Sequence, residues 1–84
     1  MTVHSHHFVE TYEGLVGFGL NRETDENTVA YYLQKFSDDR LLEVILKRLE
    51  DSELTAIFDL LGSLLRKHLD ETEYHALFLK ENHP

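Results

Sequence analysis

The chain has 84 residues, sixteen acidic side chains against eight basic ones for a net charge of −8, and no cysteine. So short a chain fits one domain that buries only about 60% of its unfolded surface, and without cysteine it has neither disulfides nor thiolate metal sites as reinforcement. The acidic balance opposes the phosphate neutralisation that nucleic-acid binding needs; with no apolar run near the ~20 residues that cross a bilayer and a polar, histidine-rich start, the expectation is a soluble, cytoplasmic protein with neither nucleic acid nor membrane as partner.

The predicted fold is all-α: a small bundle of four to five helices at about 7–17, 25–36, 39–50, 53–69 and 71–80, forming a single domain over 1–84 with 1–6 and 81–84 as flexible tails. Phe8, Tyr12, Leu15 and Val16 suit a first helix, although Gly14, Gly17 and Gly19 each lower helix propensity by about 1 kcal/mol. Residues 17–23 then read as a turn, because glycine permits positive φ and Asn21 tolerates it. Thr24 or Asp25 can cap the second helix, whose apolar stripe is Val29, Tyr32, Leu33 and Phe36. Ser37, Asp38 and Asp39 offer the next set of caps, followed by Leu41, Leu42, Val44, Ile45, Leu46 and Leu49. Asp51 or Ser52 opens the longest segment, expected at the centre of the fold, where Leu54, Ile57, Phe58, Leu61, Leu65 and Leu69 recur at three- and four-residue steps. Asp70 and Glu73 make an acidic capping box before the short stripe of Tyr74, Leu77 and Phe78. Acidic residues gather at these starts and Lys35, Lys47, Arg48, Arg66, Lys67 and Lys80 at the ends, which complements the helix macrodipoles.

The apolar surface exceeds what one small bundle can use. At 100° per residue the segment from Leu54 to Leu69 is apolar over roughly 180°, whereas a surface helix needs a stripe of about 100°. Leu41–Leu49 spans a comparable arc, and Tyr31 stands opposite Val29 and Phe36. Hiding one broad face takes a central helix, but hiding three takes a lid from elsewhere. The sequence therefore predicts an interface built from Tyr31, Leu46, Leu60 and Leu64, with a second copy of the chain, as a homodimer, the first expectation and a different protein the second. The competing reading keeps the long helix encircled and Tyr31 flat at the rim.

Residues able to carry chemistry are few. His4, His6 and His7 are a local cluster of imidazoles without an evident second shell; loss of Met1 would set His4 third from a free amine, an arrangement that chelates copper or nickel. His68 falls inside the apolar arc of the long helix, either as a histidine serving the helix C-terminus or as part of a small-molecule or metal pocket with Tyr74 and His75. Glu71 and His75 are four apart rather than three and have no facing pair, and His-Glu-x-x-His is absent. Gly14, Gly17 and Gly19 lack the order of a phosphate loop. Ser5, Ser37, Ser52 and Ser63 show no base beside them, and Asp38 and Asp39 are merely adjacent. The segment after Asp51, tested as a recognition helix, leads with acid. No catalytic residue, metal site or cofactor is expected, and the reading is of a non-enzymatic interaction or regulatory module.

Overall fold

The computed structural model describes residues 6–81, and all regular structure among them is helical. The elements are α1 (Phe8–Thr11), α2 (Arg22–Phe36), α3 (Asp39–Arg48), α4 (Asp51–His68) and α5 (Glu71–Glu73), the last running directly into a π-helical turn over Tyr74–Phe78. The all-α expectation and the five helix positions hold, with shifted bounds. Contacts divide the described residues into two units, 6–48 and 49–81. The tails predicted at 1–6 and 81–84 lie outside the described residues except for His6 and Glu81.

In the unit 6–48 the first helix is far shorter than 7–17. It ends at Tyr12, whose ψ of 121° is extended, and 12–21 form no regular helix. The glycines decide this. Gly19 takes φ +96°, a conformation that costs an L side chain strain. At Gly14 a Cβ would come within 2.5 Å of the Tyr12 hydroxyl, which donates to the Leu15 carbonyl at 2.8 Å.

This glycine-rich segment is strapped to α2 by polar contacts. The Gly17 N–H donates to Thr28 Oγ1 at 3.0 Å while that hydroxyl donates back to the Gly17 carbonyl at 3.1 Å. The Gly19 N–H donates to Asp25 Oδ1 and the Val9 N–H to Gln34 Oε1. Tyr31 is half-buried, its ring 6.1 Å from that of Tyr12. The covered side of α2 is thus Thr28, Tyr31 and Gln34, and the predicted core stripe Val29, Tyr32, Leu33 and Phe36 is exposed. Helix α2 starts three residues earlier than predicted because Asn21, read as a turn residue, caps it by accepting from the Thr24 N–H. Asp38 accepts from the Leu41 N–H at the start of α3.

In the unit 49–81, α4 begins after Glu50, earlier than Asp51 or Ser52 would place its cap, and the Glu53 carboxylate reaches back to the Glu50 N–H. Leu69 is extended and breaks the helix, after which Asp70 and Glu73 form the predicted capping box. The helix predicted over 71–80 instead widens after one turn: the Leu79 N–H bonds to the Tyr74 carbonyl five residues back. That places the rings of Tyr74 and Phe78 in a stack at 5.3 Å.

Among the described residues no apolar side chain is buried; Thr28, at 5% exposure, is the only buried residue. Helix α4, expected at the centre, is exposed along its length save for half-buried Gly62 and Leu65. Neither unit encloses a hydrophobic core of its own.

Candidate functional site

The amphipathic period of α4 sorts its apolar side chains into two flanks. Ile57, Leu60 and Leu64 lie on one, Phe58 and Leu65 on the other, and Leu54 and Leu61 between them. Both flanks are open. Phe58 is 77% exposed and Leu60 58%, and Leu54, Ile57, Leu61 and Leu64 are exposed as well. Lone exposed leucines need no explanation, but six large apolar groups in one helical arc form a contiguous patch of the kind that marks an interaction site.

Beside the Phe58 flank the chain turns back through Leu69, and the π-helical turn faces α4 across an open hollow of about 860 Å³. Its walls are mainly apolar, from Phe58, Leu61, Leu65 and Leu69 on one side and the stacked Tyr74 and Phe78 on the other. Gly62 deepens it, since a glycine leaves the helix surface bare; the Arg66 guanidinium folds toward that gap, 3.3 Å from where a Cβ would stand.

Of the residues singled out in the sequence, His68 and Tyr74 come together on the wall of this hollow. His75 does not join them. It contacts Tyr74 edge-on at 5.8 Å but faces a separate depression, paired with Glu81 through Nδ1 and 3.8 Å from Glu71 through Nε2. His68 is exposed in the last turn of α4 beside Arg66 and Lys67, where a basic group complements the helix dipole. Leu60 and Leu64 share one exposed flank of α4. Tyr31, on α2, is half-buried with Lys35 Nζ 5.2 Å from its ring, and Leu46, on α3, is exposed.

The histidine cluster is not assembled in the described residues. His4 lies outside them; His6 bonds Ser37 Oγ at 2.6 Å and His7 is exposed. Ser37 therefore has an imidazole beside it, contrary to the reading that no serine does, because the polar strap brings residue 6 back to the end of α2. The pair is exposed, and the Ser37 hydroxyl also donates to the Gln34 carbonyl at 2.8 Å, so it makes a helix-end contact rather than an activated nucleophile. Ser63 likewise donates to a carbonyl of its own helix, that of Leu60. Among the described residues no group of three histidine, aspartate or glutamate side chains is placed to hold a metal ion, and no helix is long and apolar enough to cross a membrane.

Sequence reading missed the polar face of α2. Thr24, Thr28, Tyr31, Gln34 and Ser37 recur at three- and four-residue steps, a hydrogen-bonding stripe that was visible but outweighed by the apolar one opposite. No protein-family model, curated protein or solved structure matches the chain.

Proposed function

We propose that the chain is a non-enzymatic protein-association module that works as a homodimer in the cytoplasm, serving as an adaptor or regulator of a larger assembly, with no cofactor and no nucleic-acid or membrane partner. The observation that carries this reading is the bare apolar arc of α4, in a chain whose described residues bury no apolar side chain at all. Domains are held together chiefly by removing apolar surface from water. A chain that leaves its longest amphipathic helix uncovered gains that stabilisation from a partner. Light scattering at low micromolar concentration should give twice the mass of one chain, and Leu60→Asp or Leu64→Asp should reduce it to the single-chain value. The mass of a single chain in the unaltered protein, with no dye binding to an exposed patch, contradicts the proposal.

The hollow favours a second reading, in which a small apolar ligand sits between α4 and the π-helical turn with His68 and Tyr74 as its polar contacts. Its size falls within the range of ligand sites and its lining is of the right character. A ligand bound only by the folded state raises thermal stability, so titration with fatty acids, haem, zinc and nickel separates the readings. The absence of any shift removes the second one.

A further inference from the structure

Charge runs along α4 in one direction. Asp51 and Glu53 stand in its first turn, directly after Glu50, and Arg66, Lys67 and His68 in its last. This polarity bears on how the helix meets another copy of itself: laid parallel, like ends adjoin, and laid antiparallel, acidic ends adjoin basic ones.

The flanks agree with the second arrangement. At 100° per residue Glu53 and Lys67 lie on the same border of the apolar arc, about 40° apart, with Leu60 between them. A two-fold axis perpendicular to an antiparallel pair brings the same border of each helix together, so that Glu53 of one copy meets Lys67 of the other and Leu60 meets its own equivalent. The midpoint of Asp51–His68 falls between Asp59 and Leu60, which centres the charge pairs and the apolar arc on one axis.

The flank that holds the axis supplies part of the contact. Taking roughly 200 Å² per large side chain, the exposed parts of Ile57, Leu60, Leu61 and Leu64 come to roughly 400 Å². Each partner of a standard-size interface gives up about 800 Å², so this apolar flank makes about half of one such face and the residues bordering it make the rest.

We propose, resting on the reading of α4 as the association face, that two copies pair α4 against α4 in antiparallel fashion about a two-fold axis near Leu60. The surface is self-complementary, acid against base and leucine against leucine, so a second copy is its occupant.

The chain has no cysteine, so single cysteines report the pairing directly. Leu60→Cys and Leu61→Cys should form disulfide-linked dimers under mild oxidation. Leu54→Cys should not, because antiparallel pairing sets its two copies about 18 Å apart along the axis. Lys67→Glu should weaken dimerisation roughly tenfold at low salt, since it turns two symmetric attractions into repulsions. Adding Glu53→Gln, which retains the capping acceptor, should recover about half of that loss, because it removes the repulsion without restoring the attraction. Crosslinking of Leu54→Cys as readily as the central positions indicates parallel pairing and overturns the proposal. So does a protein of dimeric mass that crosslinks at none of the three positions, which leaves the association reading standing. A single-chain mass for the unaltered protein overturns both.

Discussion

Thr28 is the residue on which the unit 6–48 turns. Its hydroxyl both accepts from and donates to Gly17, and it is the one side chain among the described residues to be buried. Thr28→Val keeps the shape and strands the two backbone groups of Gly17, at a cost of about 1–3 kcal/mol. Amide exchange at Gly17 and Gly19 should accelerate, while Thr28→Ser should preserve protection. Two glycines offer an opposed pair of tests. Gly19 sits at φ +96°, so Gly19→Ala should destabilise by about 1 kcal/mol or more. Gly62 is inside α4, where the only close neighbour of an added methyl is the far end of Arg66. Gly62→Ala should therefore raise stability by up to about 1 kcal/mol, read as a higher melting temperature. At this scale the sequence was most legible where partners are close in the chain. The Asp70–Glu73 box spans three residues and was read correctly, whereas Thr28 meets a backbone eleven residues away that no local pattern announces.

Helices α2 to α4 were legible as elements because their apolar residues keep a 3.6-residue period and acidic or amide residues precede them. Helix α3 starts at Asp39 as predicted, whereas α2 and α4 start three and two residues early, since Asn21 and Glu50 precede acceptable alternatives for the same role. What the period did not give was which face is covered. On α2 the strap takes the polar side through hydrogen bonds and leaves Val29, Tyr32, Leu33 and Phe36 in the open, along with Phe18 of the strap itself at 73% exposure. The widening of the last helix at Tyr74 was equally invisible, because α- and π-helical turns accept the same side chains and differ only in which carbonyl each N–H chooses. The capping box is what starts that segment: Asp70 accepts from Glu73 and Glu73 from the Asp70 N–H. Asp70→Ala should cost about 1 kcal/mol and speed amide exchange over 71–78, with the middle of α4 unchanged.

For the whole molecule the sequence gives a surplus of apolar surface, and the structure gives its location. Leu60 and Leu64 stand exposed on α4 and Leu46 on α3, while Tyr31 is half-covered by Tyr12. The pocket suggested by His68, Tyr74 and His75 was legible only in part. His68 and Tyr74 do line one hollow, but His75, the next residue along the helix, faces a separate depression with Glu71 and Glu81. A protein whose apolar faces are closed by a second copy has no stability separate from its concentration. The most direct test is thermal unfolding of the unaltered protein across a hundredfold range of chain concentration. Each tenfold increase adds about 1.4 kcal/mol to a dimer, and the melting temperature should climb by on the order of 5 °C per decade. A melting temperature that stays constant across that range contradicts the account.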